Sequence, residues 1–199
     1  MTTRARMSRS DDEIIRTFVC IDISASIRER IGALQRSLQR GGAQASWVKP
    51  SNIHLTLKFL GGVSQSQITR LNGAVERAAA SISPFRVTVG GVGCFPSAHS
   101  PRVLWVGLTD VPEPLARLHA RIEDEMAGEG FPREAKTFSP HLTIARLRAP
   151  RNARQLADAL MASGFEAESF GATEVLVMRS DLKPNGAVYT PQAVIKLAA

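Results

Sequence analysis

The sequence predicts an α+β fold made by internal duplication, with two lobes whose antiparallel sheets line a central cleft and whose helices pack outside. Three observations carry that expectation. β-branched and aromatic runs alternate with longer Ala-, Leu- and Arg-rich stretches of helical spacing. SNIHLTLKFL at 51–60 aligns with FSPHLTIARL at 138–147, which places His54 and His141 87 positions apart, and the helices that follow keep nearly that offset. Hairpin-like strands and segregated helices fit an α+β class better than a strict βαβ series.

Taken in order, a first strand is expected over Arg16–Ile23, and Ser24 then offers an N-cap to a helix with Ile27, Ile31, Leu34 and Leu38 on one face. Gly41-Gly42 stops that helix. A strand over Ile53–Leu60 is expected to end at Gly61-Gly62, followed by a helix from Gln65 to Ile82 carrying Ile68, Leu71, Val75 and Ala78/Ala79. Pro84 turns the chain into a strand over Phe85–Val92, and CFPSAHSPR reads as a loop. The pattern restarts with a strand over Arg102–Leu108. Thr109 or Asp110 can cap the next helix, whose stripe is Leu115, Leu118, Ile122 and Met126 and which ends within Gly128–Pro132. A strand over His141–Leu147, a helix over Asn152–Ala162, strand material over Phe165–Met178 and a last strand over Ala187–Leu197, turned by Pro184-Asn185-Gly186, complete the chain.

With 199 residues and 44% hydrophobic side chains the chain can fill a real core, so disorder is not the default. Residues 1–13 are expected to be a disordered extension and 14–199 a single two-lobed domain. The formal charge of +7 favours an anionic partner. Six cations, Arg4, Arg6, Arg16, Arg148, Arg151 and Arg154, fall in expected tails or connectors, so part of the surplus is peripheral. Cys20 and Cys94 are too few for a disulfide framework or a thiolate zinc site, and a reducing cytoplasm is the expected home. No apolar run approaches the roughly 20 residues of a spanning helix, so no membrane partner is expected. A monomer without an obligate protein partner is expected.

Two of only four histidines share one context, His54-Leu55-Thr56-Leu57 and His141-Leu142-Thr143-Ile144. In a strand, residues i and i+2 share a face, so each His lies beside its Thr while Leu55/Leu57 and Leu142/Ile144 face a core. A single His-Leu-Thr is more often an ordinary half-buried strand segment, but recurrence at the duplication offset reverses that weighting. Pseudo-twofold lobes would set the two motifs on opposite walls of one cleft, which suits in-line displacement at phosphorus: one imidazole accepts a proton and the other donates one. Thr56 and Thr143 can hydrogen-bond the non-bridging oxygens. No Asp, Glu or Cys flanks either histidine to complete a metal set, so no metal and no cofactor is expected. His99 and His119 read as structural or exposed, and Trp47 and Trp105 as core.

WVKPSNIHLTLKFLG, PFRVTVGGVGCFPSAHSPRVLWVGL and FSPHLTIARLR together resemble the 2H phosphoesterase superfamily. More closely they resemble the bacterial and archaeal RNA 2′,3′-cyclic phosphodiesterases, historically called 2′-5′ RNA ligases, over Arg16 to Lys196. The resemblance implies the two-lobed 2H fold and a metal-independent hydrolase that opens a 2′,3′-cyclic phosphate at an RNA 3′ end to a 2′-phosphate. It also implies that His54 is the proton donor and His141 the proton acceptor; the pseudo-symmetric pair alone does not say which begins protonated. By the same resemblance Arg146 contacts the phosphate and Phe59 stacks on the terminal base. Strict alternation, however, places +5 positions opposite the histidines, so both need a bulge to reach the cleft. Phe59 otherwise packs in the core beside Leu57. Lys58 shares parity with His54, and either touches RNA or is a solvated strand-end charge. The alternatives are 2′-5′ ligation by the reverse reaction, a phosphodiesterase of another small cyclic or 2′-5′-linked nucleotide, and a non-catalytic RNA-end binder.

Overall fold

A computed structural model describes residues 13–41, 44–147, 152–184 and 186–198. In its first strand, β1 (Ile14–Asp22), Ile15, Val19 and Ile21 enter the main hydrophobic core, whereas Phe18 and Cys20 join a small second cluster with Leu176 on the other face. Period-two alternation thus gives the strand two buried sides of different character. The chain continues as α1 (Ala25–Gln39), β2 (Ser46–Trp47), a 3-10 turn (Pro50–Asn52), β3 (His54–Ser64), α2 (Gln65–Ala79), β4 (Phe85–Phe95), β5 (Val103–Leu108) and α3 (Glu113–Gly128). It ends with β6 (Leu142–Arg146), α4 (Ala153–Met161), β7 (Glu168–Ala172), β8 (Glu174–Lys183) and β9 (Gly186–Lys196).

Two antiparallel sheets result, in the orders β3-β1-β8-β9 and β2-β6-β5-β4-β7. Helices α2 and α3 cover the first sheet, and α1 and α4 the second. The expected α+β class and duplicated strands are present, but neither lobe is one half of the chain: each sheet takes strands from both halves. Helix α1 follows a strand of the first sheet yet docks on the second, where buried Gln35 donates through Nε2 to the carbonyls of Val48 (2.7 Å) and Ile144 (2.9 Å). A single core cluster runs through both lobes. Interleaving of this kind means that neither repeat can bury its apolar faces alone.

Local signals explain most element limits. Ser24 accepts from Ile27 N at 3.3 Å at the start of α1, and a capping box joins Ser64 and Gln67 at the start of α2. Three expectations change. Gly61-Gly62 does not end β3, because the strand goes on pairing with residues 14–17 of β1 and Gly61 takes φ +70°, which glycine adopts without strain. Pro112, not Thr109 or Asp110, stands at the N-cap of α3. The stretch 165–178 divides between β7 and β8. The expected extension lies outside the described residues except for Glu13, whose carbonyl accepts from Gln65 N and whose carboxylate pairs with Arg179 at 2.8 Å. Gly42, Arg148, Arg151 and Asn185 also lie outside the described residues.

Gln35→Leu removes the donor that pins α1 to β6 and leaves the Val48 carbonyl without it. Urea denaturation is expected to show a loss of about 1–3 kcal/mol with an unchanged slope.

Candidate active site

The two histidine motifs occupy β3 and the start of β6, strands that lie beside each other at the seam between the sheets, with Cα atoms within 8 Å. Their alternation is as expected: His54, Thr56, His141 and Thr143 are half-buried, while Leu55, Leu57, Leu142 and Ile144 are in the core. Both strands then break the alternation at the same place. Thr56 lies opposite Cys20 and Lys58 opposite Val19, so Leu57 is an extra residue; Thr143 lies opposite Trp105 and Ala145 opposite Leu104, so Ile144 is its counterpart. A one-residue bulge of this kind shifts everything beyond it to the other face.

That bulge turns Phe59 and Arg146 onto the histidine face. Phe59 is 57% exposed, pairs with Phe18 and lies 6.1 Å from its ring, so the core position beside Leu57 is not the one it takes. Arg146 is exposed and lies opposite Val103, which has the parity of Trp105.

The same shift overturns both expectations for Lys58. Its side chain is 1% exposed and points away from the cleft, donating through Nζ to Glu123 Oε1 (2.7 Å), Glu123 Oε2 (2.8 Å) and the Pro132 carbonyl (2.9 Å). Glu123 also accepts from Glu134 N at 3.0 Å. His119 lies 3.9 Å from this carboxylate and stacks on Phe138 at 3.8 Å, a structural role as expected. Lys58 therefore clasps the segment leading to His141 onto the back of β3. His99 is exposed.

Each histidine ring is held from behind in the same way. His54 Nδ1 is 2.8 Å from the Asn52 carbonyl, and His141 Nδ1 is 2.7 Å from the Ser139 carbonyl, at the duplication offset. A carbonyl can only accept, so Nδ1 carries the hydrogen and Nε2 is left for the cleft. Asn52 is itself fixed, its Nδ2 donating to Ala187 O at 2.7 Å in the β8–β9 hairpin.

Aromatic rings complete both mounts. Phe18 stacks on His54 at 4.6 Å and 21°, with Tyr189 edge-on at 5.4 Å; Phe95 meets His141 edge-on at 5.0 Å, with Trp105 at 6.3 Å. Burial among these rings pulls the His54 imidazole below its ordinary value, against a smaller rise from the Asn52 carbonyl and the Asp22 carboxylate. Burial pushes the Tyr189 phenol up, while the charges of Arg146 and Arg16 oppose that shift. Burial also raises the Cys20 thiol, which keeps it protonated beneath Phe18. Trp105 is not in the core as expected but half-buried on the histidine face, its indole over Gly93 and Gly107, where a Cβ would crowd the ring. Trp47 is half-buried and packs on the core edge. Phe18, Tyr189 and Phe95 were not singled out from sequence, although Phe18 and Trp105 recur at the same 87-residue offset as the histidines.

A family model described as the 2′-5′ RNA ligase superfamily matches residues 23–184. The chain belongs to the 2′-5′ RNA ligase superfamily. Among relatives in that superfamily, a protein of Methanothermobacter thermautotrophicus named RNA 2′,3′-cyclic phosphodiesterase is 33% identical, covering 92% of this chain and 99% of its own. One of the same name from Archaeoglobus fulgidus is 35% identical, covering 88% and 96%. Among solved structures, E. coli LigT complexed with 3′-AMP superposes with a TM-score of 0.75 at 28% identity, covering 94% of this chain and 100% of that one. Among the described residues no helix is long and apolar enough to cross a membrane.

Lys58→Met leaves the Glu123 carboxylate buried without its cation, and is expected to cost about 3–5 kcal/mol in chemical denaturation. Lys58→Met combined with Glu123→Leu is expected to recover most of that loss.

Proposed function

We propose that the protein hydrolyses 2′,3′-cyclic phosphate ends of RNA to 2′-phosphate ends, with His54 and His141 as the acid–base pair and no metal. The observation that carries this reading is the repeated mount: two imidazoles on neighbouring strands, each with Nδ1 committed to a carbonyl and Nε2 left for the reaction. The names of the relatives supply the substrate class.

In this mechanism the neutral His141 takes a proton from water through Nε2 as the water oxygen bonds to phosphorus. In line with that attack the bond to the 3′ oxygen breaks, and Nε2–H of protonated His54 delivers its proton there. The products are a 2′-phosphate and a 3′-hydroxyl, and the two rings return to their starting states by exchange with solvent. Thr56 and Thr143 donate to the non-bridging oxygens, and Arg146 offsets the charge that develops on them. The exposed Phe59 ring offers a stacking face to the terminal base. Replacing the water by a 5′-hydroxyl gives a 2′-5′ link with the same two proton transfers, in keeping with the superfamily's description.

His54 must be protonated to act as the acid, yet its aromatic surroundings hold its pKa down. An anionic phosphate beside it favours the cation, so the acid is completed by the substrate. The alkaline limb of kcat/KM is therefore expected below the ordinary imidazole value, and that of kcat, which reports the complex, at higher pH. His54→Ala and His141→Ala are each expected to lower kcat at least 100-fold and to remove one limb apiece.

The test is hydrolysis of an oligoribonucleotide ending in 2′,3′-cyclic phosphate with EDTA present and the product phosphate assigned by NMR. Undiminished turnover to a 2′-phosphate is the expected result. A 3′-phosphate product reverses the acid and base assignment of the leaving group, and loss of activity with EDTA that returns on adding metal contradicts the metal-free mechanism.

A further inference from the structure

Arg16 counts from sequence among the peripheral cations although it opens the expected first strand; it stands within β1 on the same face as Phe18. Phe18 touches both His54 and Tyr189, and Arg16 is two residues further along, roughly 7 Å. Seven described arginines elsewhere are committed: Arg28, Arg30, Arg70, Arg77, Arg117, Arg133 and Arg179 all hold carboxylates. Arg16 is exposed, and among the described residues it has no carboxylate within ion-pair distance. Its cross-strand neighbour is Gly62, and Gly61 beside it borders open space, so no side chain from β3 covers it.

The face of β1 is also polarised. Asp22, directly opposite His54, stands at one end of the strand and Arg16 near the other, beyond the exposed Phe59 ring. A reacting group at an RNA 3′ end has the rest of its chain on the 5′ side only, and that chain must leave the histidines in one direction. At the Asp22 end the carboxylate is already paired with Arg28 at 2.6 Å, so neither group is left to hold a phosphodiester; the end with Phe59 and Arg16, unpaired among the described residues, attracts it.

We propose that Arg16 binds the phosphodiester linking the terminal nucleotide to its 5′ neighbour, which makes the protein selective for RNA ends over free nucleoside 2′,3′-cyclic phosphates. This inference rests on the cyclic-phosphodiesterase reading and assigns the substrate's second phosphate to a separate residue. An arginine fork suits such a contact better than a lysine, because two parallel N–H groups match two phosphate oxygens.

The experiment compares kcat/KM for a dinucleotide ending in 2′,3′-cyclic phosphate and for the corresponding nucleoside 2′,3′-cyclic phosphate, in the wild type, Arg16→Gln and Arg16→Lys. The wild type is expected to favour the dinucleotide. Arg16→Gln is expected to reduce that preference about tenfold, chiefly through KM, and Arg16→Lys to restore part of it. A preference that survives Arg16→Gln unchanged, or that is absent in the wild type, overturns the proposal. If the wild type turns over neither substrate, the hydrolytic reading fails. The subsite is then judged on equilibrium binding of the ring-opened 2′-phosphates, where an unchanged ratio of dissociation constants in Arg16→Gln overturns it independently. Because Arg16 is exposed and unpaired among the described residues, its variants are expected to melt with the wild type.

Discussion

Two main-chain carbonyls, those of Asn52 and Ser139, decide what the histidine pair can do. Each accepts the Nδ1 hydrogen of the imidazole two residues later, at 2.8 and 2.7 Å, and so sets both the tautomer and the ring direction. Without that bond a half-exposed imidazole has two equivalent ways to present a nitrogen. With it, each ring offers Nε2, which can accept a proton when neutral and donate one when charged. The aromatic mounts on Phe18, Tyr189, Phe95 and Trp105 restrict the same rings from the sides, and burial among them favours neutral His54 until an anion arrives.

The second constraint is the bulge after each threonine. A regular strand would send Lys58 into the cleft and Phe59 and Arg146 into the core. One extra residue, Leu57 in β3 and Ile144 in β6, exchanges those destinations. The histidine face thereby gains an aromatic ring from one strand and a guanidinium from the other, at equivalent positions of the repeat. Duplication has conserved the frame and let the chemistry at this position diverge. On the inner face the counterpart positions also differ: Ala145 simply packs, whereas Lys58 enters the core and takes Glu123 with it.

Much of this was legible in the chain. Helical spacing located α1, α2 and α3, and the 87-residue recurrence located both histidine strands and linked them to one another. The lobes were not legible, because period and propensity act within an element, whereas α1 is sent to the second sheet by a contact between Gln35 and carbonyls more than ten residues away in β2–β6 surroundings. Parity misplaced Lys58 because a bulge has no composition of its own; HLTLKF and HLTIAR read as regular strands. Nearness to the first residues counts Arg16 among the peripheral cations, although it opens the expected first strand and its alternation with Phe18 places it on that ring's face. The apolar run around Trp105 points to the core, whereas its alignment with Phe18 at the repeat offset marks it as a histidine support.

The central claim is that both imidazoles present Nε2 because both Nδ1 atoms are tied to carbonyls. Long-range ¹H–¹⁵N correlation spectra of the histidine-labelled protein, recorded above the titration of both rings, test it most directly. The account predicts that neutral His54 and His141 each carry the hydrogen on Nδ1, with Nε2 resonating as a bare ring nitrogen. A hydrogen on Nε2 of either ring would contradict it.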